Sequence, residues 1–597
     1  MCGITGFNWE DYQLLQKMNE VIAHRGPDDQ GVYTDEEVSL GNRRLAIIDL
    51  SPSARQPMAN EDETIWITYN GEVYNFKEIR EDLEEKGHTF TSNSDTEVII
   101  HGYEEYGIDI LHRLNGMFAF ALYDSGRKEL ILARDRFGIK PLYYYYQDGN
   151  FIFCSEIKGI LTHNIERTPN NRMIFEYLQY GLIDHREETF FNHIYRVMPG
   201  TYLVFDLETC SIAKKKWYSL KDKTVLDLKE IRDSFFKSVT YRLVSDVPVG
   251  SCLSGGIDSS SIVGAMKDIS PETEIKTFSA IFPGTSIDES EYIKEVVEKT
   301  DVHSAVVIPK IETLIEDLND LIWTQEEPFL STSIYAQYCV MKLAHKNSMK
   351  VLLDGQGGDE LLAGYPIYFT PYFLELFATF KWKSLISEGF LYIKQHKDVI
   401  PLFQLFVSFT RSLFKTHDLR PGWIDKEFFN RYSRPRTYVF RLNEKLVETL
   451  TYSTIPGLLR YEDKNAMRWS VETRLPFLDH RFVESVLYIP PEYKIKRGIT
   501  KYIFREALKG VLPERIRRRT DKIGFATPED QWFQSELFTG MAESILDSDS
   551  FKEREYWDGE KVKKTFKKYK KGKKRLRRTV WKWINLELWL RMFIDGQ

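Results

Sequence analysis

The chain contains 597 residues, more than a single hydrophobic core usually holds, and this length predicts two or three domains. Its composition, 42% hydrophobic and 28% charged, is typical of a globular protein, and its net charge of −7 argues against nucleic acid or a membrane as a partner. The five cysteines include no CxxC pair, which argues against a disulfide framework or a zinc site and predicts a reducing, cytoplasmic compartment.

Residues 1–205 carry the alternation of apolar and polar side chains that is typical of short, half-buried strands. Helices are predicted at 75–86 and 95–106. Together these elements predict an α+β domain of stacked antiparallel sheets. The polar and basic segment that follows, 206–225, predicts a linker. The predicted strands cover 63–76, 117–124, 129–135 and 142–156.

Residues 226–597 show a different pattern, in which short apolar strands alternate with helices. This alternation predicts a second domain of the α/β class, with a parallel sheet covered by helices. The predicted strands cover 247–254, 275–282 and 349–355, and the predicted helices cover 260–268, 290–300 and 333–346.

Three segments of the second half have an unusual composition. Residues 365–455 are rich in aromatic side chains and predict a helical insertion, which we expect to pack on the core or a subunit rather than to line an acceptor pocket. Within it, the apolar segment 399–414 predicts a buried or partner-facing helix. It contains a proline and polar residues and is too short to predict a membrane span. The twelve lysines and arginines at 561–578 predict a solvated helix face.

Cys2 becomes the N-terminal residue if the initiator methionine is removed, as is usual before a small second residue. Its thiol then lies beside its own α-amine, whose pKa of about 7.7–8.0 leaves neutral amine available near pH 7. One residue can therefore carry both a nucleophile and a general base. Further motifs follow in order: HRGPDDQG at 24–31, RRLAIIDLS at 43–51, YNGEVYN at 69–75, SNSDTEV at 92–98, LNGMFAFALYD at 114–124 and ARDRFGIKPLYY at 133–144.

This set of motifs resembles the N-terminal-nucleophile glutaminase domain of class II glutamine amidotransferases over about the first 200 residues. The resemblance implies that Cys2 hydrolyses L-glutamine, with the Asn70 side chain and the Gly71 backbone N–H as oxyanion donors. It also implies that the forked guanidinium of Arg44 binds the carboxylate of glutamine and that Asp95 binds its ammonium group. The implied glutamine-binding residues are Arg44, Asn70, Gly71, Glu72 and Asp95.

Each of these residues also has a structural alternative. Taken separately, Arg44 could be a surface arginine, Asn70 a turn residue and Asp95 a helix N-cap. Arg25 is expected to brace the loop over Cys2 rather than to bind glutamine. The full set of motifs favours the functional interpretation.

An apolar strand, a loop rich in serine and glycine, and a helix follow one another at 247–266. The loop has the order SGGxDS and resembles the PP-loop of enzymes that cleave ATP between its α and β phosphates, not a Walker loop. Its glycine N–H groups and the positive end of the helix favour a bound phosphate. The resemblance implies ATP and Mg²⁺ as cofactors. The expected ATP-binding residues are Leu253, Ser254, Gly255, Gly256, Asp258, Ser259, Ala280, Asp354 and Gly355.

Two carboxylates and one lysine are expected at the phosphate end of this site. The resemblance implies that Asp258 and Asp359 hold Mg²⁺ together with pyrophosphate, because Mg²⁺ prefers one or two carboxylates plus phosphate oxygens. Lys501 is expected to neutralise pyrophosphate or the charge that develops on an acyl-adenylate. The alternative for Lys501 is a solvated helix lysine.

The fusion of these two domains resembles glutamine-hydrolysing asparagine synthetase of the bacterial B type over nearly the whole chain. The resemblance implies conversion of L-aspartate to β-aspartyl-AMP, followed by attack of ammonia delivered through an internal tunnel. The resemblance leaves open whether the protein forms a homodimer. We expect no nucleic acid and no membrane as partners.

The chain departs from that family at Gln356, where a glutamate is usual and where glutamine cannot act as a base. Glu462 or Asp463 could supply a carboxylate instead. The departure keeps a second hypothesis open, in which the same mechanism acts on another carboxylate, such as a sugar acid or a secondary metabolite. A third, a PP-loop enzyme that modifies RNA, is disfavoured by the net charge and by the glutaminase motifs.

Overall fold

A computed structural model describes residues 2–397, 400–401, 419–434, 439–521 and 524–596. In the first half, the strands form two antiparallel six-stranded sheets, with the orders β10-β8-β9-β1-β3-β2 and β12-β11-β7-β6-β5-β4. The strands are β1 (Cys2–Phe7), β2 (Asp29–Thr34), β3 (Ser39–Arg44), β4 (Met58–Ala59), β5 (Ile65–Val73), β6 (Gly116–Asp124), β7 (Glu129–Arg134), β8 (Tyr143–Gln147), β9 (Asn150–Cys154), β10 (Ile194–Arg196), β11 (Thr201–Asp206) and β12 (Ser211–Lys216).

The two sheets stack face to face around a shared apolar layer. Ile4 and Leu40 of the first sheet belong to the same buried cluster as Ala119, Ala121 and Leu203 of the second. Alternate residues of each strand point into this layer, which is the arrangement that the sequence alternation predicted, so the α+β prediction is confirmed. The helices of this half are Tyr12–Val21, Phe76–Glu85, Asp95–Tyr106, Ile110–Arg113, Ile157–Ile160 and Asn171–Tyr180, with 3-10 turns at Ala23–Arg25, Pro52–Ala54 and Gly107–Asp109.

The prediction of a linker at 206–225 is wrong for Ser211–Lys216, which is strand β12 and pairs antiparallel with β11. The strand lies at the edge of its sheet, and its side chains are mostly exposed. An edge strand rich in lysine resists pairing with other chains, so it lacks the apolar alternation by which strands are usually predicted. Trp217 and Tyr218, immediately after it, are buried.

The second half contains a parallel sheet of five strands among the described residues, in the order β15-β14-β13-β16-β17. The predictions for β13, β14 and β16 are confirmed. Two strands were not predicted: β15 exposes its first two residues, and β17 has three residues and is too short to show a period. The strands are β13 (Val249–Cys252), β14 (Lys276–Ala280), β15 (His303–Val307), β16 (Val351–Leu353) and β17 (Glu472–Arg474).

Helices surround this sheet, as predicted. Before the insertion they are Leu228–Arg242, Ile257–Ile269, Ser290–Thr300, Ile311–Gln325, Ser333–Lys346 and Gly358–Leu362. After it they are Ile455–Arg468, His480–Val486, Pro491–Lys494, Tyr502–Ala507, Glu514–Arg518, Glu529–Trp532, Glu536–Asp547, Asp549–Glu553, Gly559–Lys570 and Arg577–Leu590.

The described part of the aromatic insertion is helical, and several of its side chains join the main apolar core. Phe369, Phe373, Tyr392 and Leu442 all belong to that core, which supports the packing role that was expected. The helix predicted at 399–414 lies outside the described residues except for 400–401. The described helices of the insertion are Phe369–Ala378, Trp382–His396, Lys426–Tyr432 and Leu442–Glu448.

The basic run at 561–578 begins in the helix Gly559–Lys570. Val562, Phe566 and Tyr569 form the buried face of this helix, and most of its lysines lie on the exposed side. The prediction of a solvated helix face is confirmed. Within the described ranges, no helix combines the length and the apolar character needed to cross a bilayer.

Candidate active sites and the interface between them

Cys2 lies at the start of β1, opposite Arg44 on β3, so the two side chains project from the same face of the sheet. The backbone nitrogen of Cys2 donates a hydrogen bond to Asn70 Oδ1, 3.0 Å away on β5 of the facing sheet. Burial raises the pKa of the Cys2 thiol overall, although the chain N-terminus, the Leu45 N–H and Arg44 each lower it in part. A buried thiol of this kind needs an adjacent base to become a nucleophile.

The side-chain amide of Asn70 has a hydrogen-bond donor that is unused within the described residues. Its Oδ1 accepts from Cys2, while its Nδ2 is buried and has no hydrogen-bond partner among the described residues. A buried donor without a partner costs about 1–3 kcal/mol, so its presence here indicates a ligand. Gly71 is required by the packing of its strand, because a Cβ there would lie 2.3 Å from the Met117 carbonyl oxygen on β6. The structure therefore ties this glycine to strand packing.

Two carboxylates lie near Asn70. Asp95 Oδ2 accepts hydrogen bonds from the Tyr69 hydroxyl, at 2.7 Å, and from the Val73 N–H, at 2.8 Å. Ser94, not Asp95, caps the helix that begins there, so the capping alternative for Asp95 is wrong. The Oε2 atom of Glu72 is buried without a hydrogen-bond partner in the described part of the chain. Burial, together with the charge of nearby groups, raises the pKa of both carboxyls.

Arg44 is buried, so the surface alternative is wrong for this residue as well. Its guanidinium donates to backbone carbonyls of the 48–51 loop, at 3.2 Å for Ser51 and 3.4 Å for Ile48, and also to Asp49. Arg44 thus fixes the loop that follows β3. A role toward glutamine stays a prediction.

Arg25 connects Cys2 to the second half of the chain. Its Nε donates to the Cys2 carbonyl at 3.1 Å, which confirms the predicted brace. Its Nη1 donates to Glu156 and to Asp463, both at 2.8 Å, and the Arg25 side chain is fully buried. Asp463 is therefore held at the interface and does not line the cleft beside the SGGxDS loop. Other buried ion pairs across the two halves include Glu72–Arg474, Lys140–Asp463, Lys158–Glu326, Arg196–Glu327 and Asp184–Arg460.

The Arg25–Asp463 pair gives a test of the interface. We expect Asp463→Ala to lower the free energy of unfolding by about 3 kcal/mol, because removing one partner leaves a buried charge poorly compensated. Denaturant unfolding followed by tryptophan fluorescence measures this loss. Glu84→Ala, which breaks the exposed pair with Arg80, is the control and should cost no more than about 0.5 kcal/mol. Equal losses in the two variants would contradict a structural role for the interface pair.

The PP-loop connects β13 to the helix Ile257–Ile269. Gly255 has φ of 72°, and a Cβ there would lie 2.7 Å from Tyr292, so both conformation and space require glycine. The Ser254 N–H donates to Ser259 Oγ at 3.1 Å and closes the loop. The helix therefore begins with its N–H groups at the end of the sheet, where α/β folds bind ligands.

A cleft of about 740 Å³, including space open to solvent, lies beside this loop. Most of the predicted ATP residues line it, which brings together side chains from β13, β14 and β16. Gly256 instead lines an adjoining pocket with Lys501, and Gly255 lines neither of these two. The predicted residues along the cleft are Leu253, Ser254, Asp258, Ser259, Ala280, Asp354, Gly355 and Asp359.

Asp258, Asp359 and Lys501 form one buried cluster. Lys501 Nζ lies 2.5 Å from a carboxylate oxygen of each aspartate, and Lys501 is only 2% exposed, so the solvated alternative is wrong. Glycines leave room for the cluster: a Cβ on Gly358 would lie 2.7 Å from the Asp258 carboxylate, and one on Gly364 would lie 1.8 Å from that of Asp359. The two carboxylates thus converge on a single cation position.

Sequence reasoning missed several residues of this region. Arg505 and Arg519 line the pocket that contains Lys501 and add positive charge behind the PP-loop. Tyr365 and Phe525 supply aromatic surface to the cleft. They come from distant parts of the chain and carry no motif. Only the run of arginines at 517–519 gave a signal in the sequence.

Gln356 lies in the cleft beside a buried pair of carboxyl groups. Asp354 lines the cleft next to it, and its Oδ1 accepts from the Gly355 N–H at 2.5 Å. Glu462 lies behind the cleft wall, where Gln337 donates to it. Burial, together with the charge of Asp354, raises the pKa of Glu462 well above its usual range. Burial also raises the pKa of Asp354, although a hydrogen bond with Glu462 lowers it in part.

Strand β17 reaches from one site to the other. The Arg474 guanidinium at its end lies 3.3 Å from Glu72, beside Cys2, and fills space between the two halves. The Arg474 carbonyl accepts a hydrogen bond of 2.9 Å from the Asp354 N–H at the cleft. A single residue therefore contacts both candidate sites.

Comparisons with known proteins agree with this two-part architecture. The family model described as glutamine amidotransferase domain matches residues 1–218, and the model described as asparagine synthase matches residues 230–591. The chain is 32% identical to glutamine-hydrolysing asparagine synthetase 1 of Bacillus subtilis (strain 168), over 93% of this chain and 92% of that protein. It is also 32% identical to asparagine synthetase 3 of that organism, over 86% and 85%. The amidase chry2 of Gibberella zeae is 28% identical, over 91% and 92%.

Proposed function

The chain belongs to the glutamine-hydrolysing asparagine synthetase family of carbon–nitrogen ligases, and we propose that it makes L-asparagine from L-aspartate, with glutamine as nitrogen donor and ATP as energy source. One observation carries the proposal. In the first site, Glu72 lies near the buried Cys2 and pairs with Arg474 of strand β17. In the cleft, the Asp354 N–H donates to the backbone carbonyl of the same arginine. The arrangement suits a reactive nitrogen compound made at the first site and used at the second.

The Cys2 site would perform the first half of the reaction. Loss of Met1 would expose the α-amine, which takes the thiol proton and can still donate to Asn70 Oδ1. The thiolate attacks the glutamine amide carbon, and Asn70 Nδ2 stabilises the oxyanion together with the Gly71 N–H. Collapse of this intermediate releases ammonia, and water then releases glutamate. Glu72 and Asp95 would bind the ammonium of glutamine, and Arg44 its carboxylate.

The cleft would perform the second half. A carboxylate oxygen of aspartate attacks the α phosphorus of ATP, and pyrophosphate leaves toward Lys501. Mg²⁺ would neutralise pyrophosphate, and the carboxylates of Asp258 and Asp359, which both face Lys501 at this end of the site, would supply its protein ligands. Ammonia then attacks the activated carbonyl carbon, and AMP leaves. Ser254 and Ser259 would orient the phosphates, while the strand ends at Leu253 and Ala280 flank the adenine.

The step that follows adenylation needs a proton acceptor, since attacking ammonia becomes positively charged. We propose the Asp354–Glu462 pair for this task, because Gln356 cannot accept the proton and Asp354 faces the same cleft. A shared proton and a raised pKa suit a carboxyl pair to act as a base near neutral pH. The pair would offset the absence of the usual glutamate at position 356.

We therefore expect Asp354→Asn to slow amide formation from free ammonia by about 100-fold, a typical contribution of a general base. Exchange of labelled pyrophosphate into ATP should persist, because adenylation precedes the proton transfer. The wild-type rate should rise as pH increases through the raised pKa of the pair, and the variant should lose this rise. Glu444→Gln, on an exposed helix, is the control. Loss of exchange together with amide formation would contradict this role.

The acceptor is tested by measuring pyrophosphate release with ATP, Mg²⁺ and glutamine, with L-aspartate or with a panel of other carboxylates. The proposal predicts release that depends on aspartate and equals the asparagine formed. Release only with another carboxylate would contradict the asparagine assignment. It would favour a same-mechanism amidotransferase, for which Gln356 and the aromatic surface of Tyr365 and Phe525 provide the structural basis.

A further inference from the structure

A cluster of histidine and glutamate side chains lies in the first half, apart from both sites above. One ligand atom from each of His88, His101 and Glu104 lies within 4.8 Å of those of the other two. His101 and Glu104 are three residues apart on the helix Asp95–Tyr106 and so share a face, while His88 belongs to the loop before it. We propose that these three side chains bind a divalent transition-metal ion of the zinc type.

Both histidines present one ring nitrogen to the same carboxylate oxygen. Glu104 Oε2 lies 2.9 Å from His101 Nδ1 and 3.7 Å from His88 Nδ1. Ligands about 2.1 Å from a tetrahedral zinc ion lie about 3.3 Å from one another, so these distances need only small side-chain adjustments. The other oxygen of Glu104 accepts from Asn60 Nδ2 at 2.9 Å, which fixes the carboxylate.

The second ring nitrogen of each histidine faces a further carboxylate. His101 Nε2 lies 3.7 Å from Glu97, and His88 Nε2 lies 3.6 Å from Glu105. Such outer carboxylates orient metal-binding histidines and select their tautomers. The backbone N–H groups of Thr91 and Ser92 donate to the two oxygens of Glu97, at 2.7 and 2.8 Å, and fix this carboxylate beside His101.

The charge balance also favours a cation. Three carboxylates, those of Glu97, Glu104 and Glu105, surround two imidazoles whose ring centroids are 5.1 Å apart. Lys86, 3.2 Å from Glu105, offsets one of the carboxylates. A divalent ion would neutralise the rest while both imidazoles stay neutral. The cysteine spacing argued against a zinc site, but this cluster uses imidazole and carboxylate ligands only.

The site has three protein ligands, and the exposure of Glu104 leaves a fourth position open to water. The position of this site in the fold indicates that metal binding has a structural effect. The ion would join the loop around His88 to a helix whose first residue, Asp95, lies in the candidate glutamine site about 9 Å along the helix axis. Metal binding should therefore stabilise the first half of the chain.

The test is zinc binding by the full-length chain in the Cys2→Ala background, which removes the candidate nucleophilic thiol as a competing zinc ligand. Titration calorimetry and metal analysis after dialysis should give one zinc ion per chain and a higher Tm with zinc. In the same background, His88→Ala and Glu104→Gln should weaken binding by at least about 100-fold, and Glu105→Gln by about 10-fold. His303→Ala removes an exposed histidine elsewhere and should change nothing.

Cobalt gives a second readout. Co²⁺ at this site should show the visible bands of a nitrogen- and oxygen-ligated ion without a sulfur charge-transfer band. The bands should disappear in Glu104→Gln. Glu104→Gln and Glu105→Gln, whose side chains are exposed, should keep the unfolding midpoint of the metal-free Cys2→Ala parent. A parent that binds no zinc, or a stoichiometry unchanged in His88→Ala and Glu104→Gln, would overturn the proposal.

Discussion

The Cys2→Ala variant is expected to lose glutamine-dependent amide synthesis by at least about 10³-fold while it keeps synthesis from free ammonia. The reason is the separation of the two sites. The Cys2 thiol lies with Asn70 in the stacked sheets, whereas Asp258 and Lys501 lie in the parallel-sheet half. The substitution removes one sulfur atom from the first site and leaves Asp258 and Lys501 unchanged. The measurement compares amide product formed with glutamine and with ammonium chloride as nitrogen source.

Cys154→Ala is the matched control for this variant. Cys154 lies on β9, next to β1 in the same sheet, and is also buried, with a pKa raised by burial to about 12. Losing its thiol should leave both nitrogen sources usable, because it lies away from the Asn70 amide. If Cys2→Ala folds normally and still loses the ammonia-dependent reaction, the two-site account is wrong. If Cys2→Ala still used glutamine, Cys2 would be excluded as the nucleophile.

Asp258→Asn is expected to reduce pyrophosphate formation by at least about 10³-fold while basal release of glutamate from glutamine continues. The substitution keeps the shape of the side chain but removes the negative charge that faces Lys501 and, in the proposed reaction, Mg²⁺. In this variant Lys501 can form an ion pair only with Asp359, and only one of the two carboxylates that face a cation remains. Parallel assays of pyrophosphate and glutamate on one preparation separate the two activities.

Asp268→Asn provides the control, since Asp268 lies at the exposed end of the same helix. It should leave both activities unchanged. Pyrophosphate release that persists in Asp258→Asn would exclude the metal-binding role of this carboxylate. Loss of glutamate release along with pyrophosphate would show instead that the substitution disturbs the whole chain.

The fold of both halves could be predicted because the buried residues of strands and helices recur along the sequence at regular spacings. Strand β5 alternates apolar and polar residues, whereas β6 is an apolar run, and the parallel strands are short apolar runs between helices. Strands β12 and β17 escaped prediction for physical reasons. One is a lysine-rich edge and the other has three residues, so neither shows a period.

The candidate sites were predictable where chemistry and local motif coincide, as at Cys2 and in the PP-loop. The contacts that depend on tertiary packing were not. Lys501 was expected at the phosphate end of the site, but its position between two carboxylates needs the fold, and no role was predicted for Arg505. Gly71 was predicted as an N–H donor, but the close backbone of β6, which requires a glycine at this position, is visible only in the structure.

The most direct test of the whole account is the fate of the amide nitrogen of glutamine. The chain should be incubated with ATP, Mg²⁺, L-aspartate and glutamine labelled with ¹⁵N in its amide group, in the presence of excess unlabelled ammonium. The account predicts asparagine that carries ¹⁵N in its side-chain amide, with AMP and pyrophosphate formed in equal amounts. Unlabelled asparagine would contradict transfer between the two sites, and labelled ammonia released without any asparagine would contradict aspartate as the acceptor.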